Sequence, residues 1–218
     1  MIKFLFKSFP QLFCLTPTIS TSLTLCNWAQ GKYSKGAVKA HTVLNLKGSI
    51  PEFIFITDGK YHDVNALDEI TFEAFAFYVM DKAYIDFKRP YRMKKADVFF
   101  VVRAKKNLMS RVVISNKVDK STGLRCDQHI KLTGVKSRKH YPDKIRRIKY
   151  YDKQKENTLV FLTNNFKLEA LEIAEVYRCR WQIEVFFKWI KQNYSSKHSG
   201  DILKMQSKHI YGLPFMYT

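Results

Sequence analysis

Hydrophobic and polar positions alternate with different rhythms along this chain, and the rhythm predicts the elements. Phe75 to Met80 (FAFYVM), Asp97 to Ala104 (DVFFVVRA) and Thr158 to Thr163 (TLVFLT) are near-continuous apolar runs. Runs of that length and composition read as strands buried on both faces. Ala37 to Leu46 alternates, Lys47-Gly48-Ser49 is a turn, and Glu52 to Thr57 (EFIFIT) follows, which predicts a hairpin. Asp58-Gly59 is a further turn signal, and Val64 to Ala74 predicts a short helix capped near Asp63. Shorter β-like segments occur at Arg111 to Ile114, His129 to Leu132 and Arg146 to Tyr151, broken by Gly123, Gly134 and Pro142. Asn164-Asn165 is a turn, and Leu168 onward is helical. Residues 1–34 resist reading, because Thr16-Pro17 and Asn27 interrupt an aromatic-rich start. Residues 196–218 carry no clean period.

The predicted helix from Leu171 to Lys191 is the most unusual of these elements. Ile173, Val176, Trp181, Ile183, Val185, Phe186, Phe187, Trp189 and Ile190 make it apolar nearly all round, which predicts burial. Yet Tyr177, Arg180, Glu184 and Lys191 fall on one face, within an arc of roughly 60° at about 100° per residue. Charges inside a protein are costly unless paired, metal-bound or facing a ligand. Two readings stay open. Arg180 with Glu184, or Glu184 with Lys188, could form simple i,i+4 ion pairs. Alternatively the stripe faces a ligand. Trp181 beside it reads as core.

Charge changes the picture. Lysine and arginine number 38 against 19 acids, a net charge of +19. Such an excess favours a polyanionic partner, nucleic acid first and an anionic membrane surface second. A basic structural or ribosome-associated protein is the bland alternative. Residues 103–156 concentrate the excess, with 17 basic residues against five acids and tyrosines interleaved. That density suits phosphate binding, the alternative being a solvated surface. Hydrophobic content of 46% with 15% aromatic residues marks a globular chain. Cys14, Cys26, Cys126 and Cys179 form no C-x-x-C pair, which argues against a zinc site and suits a reducing compartment. Lys7 and Pro10 interrupt the N-terminal apolar run, against a signal peptide, and no stretch approaches the ~20 apolar residues of a membrane span.

Asp81 closes the FAFYVM strand. Function gathers at the carboxyl ends of strands in open α/β sheets, so Asp81 is a candidate site residue. The competing reading is an N-cap for a helix from Tyr84 to Lys95.

Taken in order, these segments resemble the DDE transposases of the insertion-sequence-4 type. YRCRWQIEVFFKWIK, residues 177–191, carries the whole Tyr-x2-Arg-x3-Glu-x6-Lys signature of that family. FYVMDKAYID is similar to its second catalytic segment. FLTNNF, followed by the signature helix, is similar to its third. KGAVKAHTVLNLKGSIPEFIFITDGKYHDV is similar to the hairpin between the first and second.

The resemblance implies an α/β, ribonuclease-H-like mixed sheet flanked by helices, with a basic β-rich insertion before the last catalytic helix. It divides the chain into a degenerate segment (1–34), a first part of the ribonuclease-H-like domain (35–104), the insertion (105–156), a second part with the signature helix (157–195) and a degenerate tail (196–218). It implies cleavage and transfer of DNA strands with two Mg²⁺ ions about 3.5–4 Å apart. Mg²⁺ is hard and prefers carboxylate oxygens and water. Asp81 and Glu184 would be catalytic metal ligands, expected within about 8 Å of each other. Tyr177, Arg180 and Lys191 would grip phosphates. The implied partners are double-stranded transposon-end DNA and a second copy of the chain, with no membrane, in a nucleoid-associated cytoplasmic setting.

One slot is filled wrongly for that chemistry. The family's first aspartate falls at Leu15 within CLTPTISTSLTLCNWA, and no acid precedes Glu52. Asp58 and Asp63 follow the next strand, in a different slot. Leu15 is therefore expected beside Asp81 on a neighbouring strand. The resemblance implies a transposase impaired in catalysis, or a non-catalytic DNA-binding remnant of one.

Overall fold

The computed structural model describes residues 11–20, 38–48 and 50–194. The chain opens on β1 (Leu12–Ser20), followed by the hairpin β2 (Val38–Asn45) and β3 (Ile50–Asp58). A 3-10 turn (Asp63–Asn65) leads into α1 (Ala66–Glu69) and β4 (Phe77–Met80). A second 3-10 turn (Lys82–Tyr84) precedes α2 (Lys88–Lys95) and β5 (Phe99–Arg103). Then come β6 (Ser110–Asn116), β7 (Leu124–Leu132), α3 (Val135–His140), β8 (Ile145–Asp152) and β9 (Asn157–Thr163). Two helices finish the described chain, α4 (Ala170–Arg178) and α5 (Trp181–Tyr194). Two compact units divide it, Met1–Ile183 and Glu184–Thr218.

The first unit is built on one nine-stranded sheet in the order β3-β2-β1-β4-β5-β9-β8-β7-β6. The centre is parallel, β1 with β4 and β4 with β5, and both flanks are antiparallel. Helices cover the sheet, α2 against β5 and α4 against β5, β7 and β8. A large mixed sheet flanked by helices is the architecture the sequence implied. The basic segment supplies β6, β7 and β8, and these strands pair through β9 into the same sheet.

Burial follows the apolar runs. Phe77 to Met80 is buried throughout, as are Phe100, Val101 and Val102. One face of the sheet gathers Phe13, Leu15, Val43, Tyr78, Met80, Phe100 and Val102 with Met93 of α2. The opposite face carries Phe161, whose ring meets Tyr177 of α4 at 4.6 Å between centroids. Alternation along each strand makes this division, since successive side chains point to opposite faces.

Two expectations change. The helix predicted at Val64 to Ala74 is a 3-10 turn and four residues of α1, and Asp63 does not cap it. Asp63 instead pairs with Lys39 at 3.0 Å. The single helix predicted from Leu171 to Lys191 is two, α4 and α5, separated at Cys179 and Arg180. Bonds of the i→i+3 kind tighten the junction, Arg180 N–H to Tyr177 C=O at 3.0 Å and Gln182 N–H to Cys179 C=O at 3.1 Å. The stripe from Tyr177 to Lys191 is therefore carried by two helices instead of one.

His41 of β2 is a buried base with a measurable consequence. It is 1% exposed, its Nε2 shares a 3.1 Å hydrogen bond with Thr57 Oγ1, and its ring meets Phe55 and Tyr61. Burial holds its pKa below the ordinary imidazole value, Lys39 adds to the lowering, and Asp63 opposes it. The unfolded chain takes up the proton near pH ~6.5 while the folded chain resists it. Stability should fall as pH drops from about 6.5 toward the lowered folded pKa. Thermal melts at pH 7 and 5 are expected to show this drop, and His41→Gln should flatten it. An equal slope in both proteins would assign the pH dependence elsewhere.

Candidate functional site

Asp81 stands one residue beyond β4, at the carboxyl end of the parallel centre. Its backbone is extended (φ −79°, ψ 166°) and its side chain makes no capping hydrogen bond to the following 3-10 turn. The helix it was weighed as capping begins later, at Lys88. The capping alternative therefore falls away, leaving a half-buried carboxylate at a strand end.

Register decides what surrounds it. The last β4–β5 pair is Met80 with Val102, so Asp81 and Arg103 leave adjacent parallel strands side by side. Arg103 was missed in the sequence, although it closes the apolar run FFVVR as Asp81 closes FYVM. On the other side, β1 pairs with β4 through Leu15 and Met80. Leu15 is thus on the neighbouring strand, as expected. Its side chain, however, is 1% exposed and packs with Val43 and Met80 in the core on the far face. Asp81 follows Met80 and points the opposite way. The β1 side chains sharing its face are Cys14 and Thr16. Thr16 pairs with Thr42 of β2, whose buried Oγ1 has no hydrogen-bond partner among the described residues.

Tyr177 and Arg180 approach from above this face. Cys14 Sγ donates to the Arg180 carbonyl oxygen at 3.8 Å, fixing the α4–α5 junction over β1. The Arg180 guanidinium lies 5.8 Å from the Tyr177 ring centroid. Burial pushes the Tyr177 phenol up to about 12; the Asp81 charge adds to the rise, while Arg180 and Arg103 oppose it. Tyr177 is therefore a neutral hydrogen-bond donor at working pH. Asp81, Arg103 and Arg180 thus all act on the Tyr177 phenol through their charges. Tyr177 and Arg180 also line an open cavity of about 350 Å³ with Asp152, Lys155 and Trp181. Trp181 is half exposed there, not core as its sequence context suggested.

The remaining expected residues lie in the second unit. Glu184 is exposed in the first turn of α5. Lys191 is also on α5, at a position whose side chain is outside the described residues. On that helix Val185 and Trp189 are exposed, against the burial its apolar composition predicted.

Asp58 and Asp63, the acids that follow the next strand, are occupied structurally. Asp58 Oδ1 accepts from the backbone N–H of Lys60 and Tyr61 at 2.9 and 2.8 Å. Asp63 holds Lys39. Among the described residues, no group of three or more His, Cys, Asp or Glu side chains gathers to hold a metal. On the face around Asp81 the strand positions supply that one carboxylate and threonine hydroxyls, with Arg103 alongside and Asp152 in the neighbouring cavity. Neutral hydroxyls and guanidinium do not make a two-Mg²⁺ cage, which wants several carboxylates. Arg103 at the strand end and Arg180 with Tyr177 at the helix junction are groups of the kind that pair with anions.

Comparison with known proteins bears on this geometry. The model of a family described as Transposase DDE domain matches residues 18–201. A Sinorhizobium fredii protein named as the y4zB transposase is 31% identical over 173 residues, covering 78% of this chain and 48% of that protein. A Geobacillus stearothermophilus protein named as the transposase of insertion sequence element IS5377 is 27% identical, covering 80% of this chain and 46% of that protein. A Synechocystis protein named for insertion sequence element IS4SA is 29% identical, covering 84% of this chain and 51% of that protein. The chain spans about half the length of these relatives.

Proposed function

Since the chain belongs to the transposase DDE-domain family, we propose that it is a transposase-type DNA-binding domain impaired in strand cleavage. The observation that carries this reading is the face around Asp81. Arg103 leaves β5 beside Asp81, Tyr177 and Arg180 stand at the α4–α5 junction over β1, and the β1 positions alternating onto this face are Cys14 and Thr16. Arginines at such a site hold the phosphates of a DNA backbone through paired N–H donors. Tyr177, kept neutral, donates to a phosphate oxygen. Asp81 faces the same backbone, and with Glu184 it is the remainder of the family's acidic set.

Duplex binding follows from the charge. Each phosphate neutralised steepens the salt dependence by roughly 0.9 in log–log slope. Arg103→Ala and Arg180→Ala are each expected to weaken duplex binding several-fold and flatten that slope by about one phosphate's share. Lys191 on α5 would add a further phosphate contact, and pairing with a second copy would double the footprint.

Cleavage is the discriminating test. Duplex DNA carrying the element's ends is incubated with Mg²⁺ or Mn²⁺ and scored for nicks. Salt-dependent binding without nicking is expected. Metal-dependent nicking lost in Asp81→Ala or Glu184→Ala would overturn the impairment and make the chain a working nuclease.

A further inference from the structure

The opposite end of the sheet carries a second concave site. β5 begins there at Phe99 and β9 ends there at Thr163, whereas Asp81 marks the other end. An open cavity of about 540 Å³ is lined by His129 and Lys131 of β7, Lys94 of α2, Lys144, and Phe166. Three lysines face this space against one acid, Asp143, which pairs with Lys94 at 2.5 Å. Lys131 and Lys144 have no carboxylate partner among the described residues.

Phe166 is held out over the cavity by its own turn. Asn164 Oδ1 accepts from Phe100 N–H at 3.0 Å and its Nδ2 donates to Val98 C=O at 2.8 Å. Asn165 N–H donates to Thr163 Oγ1 at 3.1 Å, and its Oδ1 accepts from the N–H of Lys167 and Leu168 at 3.0 and 2.9 Å. Both asparagine side chains are spent fixing this turn. Phe166 leaves it 38% exposed, with its ring against the edge of His129 at 4.8 Å. A ring left 38% exposed in a cavity it shares with two lysines that lack a carboxylate partner offers part of its face for stacking.

We propose that this cavity binds single-stranded DNA, with one unpaired base stacked on Phe166 and the flanking phosphates on Lys131 and Lys144. Aromatic platforms beside tracking cations are how single strands are held without sequence readout. A duplex satisfies only half of the site, because its bases are already stacked and cannot offer a face to Phe166. The cavity has room for about one nucleotide. The site is separate from the Asp81 face and does not depend on what that face does.

The test is fluorescence anisotropy with a labelled twelve-nucleotide oligo-dT, using the full chain. Phe166→Ala should weaken binding about tenfold to a hundredfold. Phe166→Trp, which keeps a stacking face, should bind like the parent. Lys131→Glu should weaken binding and flatten the salt slope by about 0.7 or more. An abasic strand of the same length should bind the parent as weakly as oligo-dT binds Phe166→Ala. Oligo-dT affinity unchanged in Phe166→Ala, or abasic and oligo-dT strands bound equally, would overturn the proposal. A duplex lost in Phe166→Ala while oligo-dT is retained would also overturn it. Failure of the Asp81 reading shows separately, as duplex binding indifferent to Arg180→Ala.

Discussion

Leu15→Asp is expected to destabilise the fold by about 4 kcal/mol or more, and so to leave no site behind to repair. Restoring an acid at the slot the family pattern assigns is the obvious way to look for latent activity. The strand register argues against it. Leu15 is 1% exposed and lies among Phe13, Val43, Tyr78, Met80 and Tyr84. Truncating a buried leucine forfeits roughly 2–5 kcal/mol of packing and transfer free energy. A carboxylate in its place meets no cation in that cluster, whose polar groups are the Tyr78 and Tyr84 phenols, and must either stay charged with little solvation or take up a proton. Against a total stability of roughly 5–15 kcal/mol, this is a large fraction.

Thr16→Asp makes the contrast. Thr16 is half-buried, and alternation puts it on the Asp81 side of the sheet. The variant should lose far less stability, with repulsion from Asp81 softened by Arg103. Two carboxylates would then share one face, so Mn²⁺ should raise the melting temperature of Thr16→Asp and leave that of Leu15→Asp unmoved. Urea titration and thermal melts with and without metal check both statements. A Leu15→Asp protein as stable as the parent would mean that position 15 opens toward Asp81 after all.

The same register explains what was legible in advance and what was not. The apolar runs behind β4, β5 and β9 are unmistakable because central strands are buried on both faces. The hairpin of β2 and β3 announced itself through alternation and the Lys47-Gly48 turn. β1 did not, because Pro17 stands within it, opposite His41, where a proline argues against a strand. The break between α4 and α5 has no local signal either. Cys179 and Arg180 are not helix breakers, and the junction is fixed by a distant partner, Cys14. Arg103 obeys the same rule as Asp81, a charge closing an apolar run, but a basic residue at a strand end does not by itself signal metal chemistry. Facing could not be read at all. Which of Leu15 and Thr16 turns toward Asp81 depends on a one-residue register, and a slip of one exchanges the faces.

Arg146→Ala is expected to cost about 3–5 kcal/mol, the second large effect in this chain. Arg146 is 4% exposed on β8 and binds Asp127 of β7 twice, Nε to Oδ1 at 2.8 Å and Nη2 to Oδ2 at 2.9 Å. Its Nη1 reaches across to the Leu168 carbonyl at 2.5 Å, just ahead of α4. One side chain thus joins the basic strands to the helix that carries Tyr177. Asn116 Nδ2 donates to Asp127 Oδ2 at 3.0 Å, so β6 joins the same cluster. Removing Arg146 leaves the Asp127 carboxylate buried with a single amide donor, and the Leu168 carbonyl loses a charged partner. Burial by itself would raise the Asp127 pKa, but the hydrogen bonds from Arg146 and Asn116 and the Arg146 charge outweigh it and hold the carboxyl below its ordinary range.

The sign of the pH dependence follows. A carboxylate whose folded pKa is depressed contributes stability above its unfolded pKa, near 4, and loses it as pH falls through the lower folded value. The parent should therefore weaken below about pH 4, and Asp127→Asn should lack that part of the acid transition while being less stable at pH 7. Arg146→Ala should reverse the effect, with the unpaired buried carboxyl titrating above its ordinary range and stability improving as pH falls toward it. Urea denaturation of the three proteins between pH 3 and 7 separates these outcomes. An Arg146→Ala protein with the parent's stability and acid transition would show that β7 and β8 hold α4 without this ion pair.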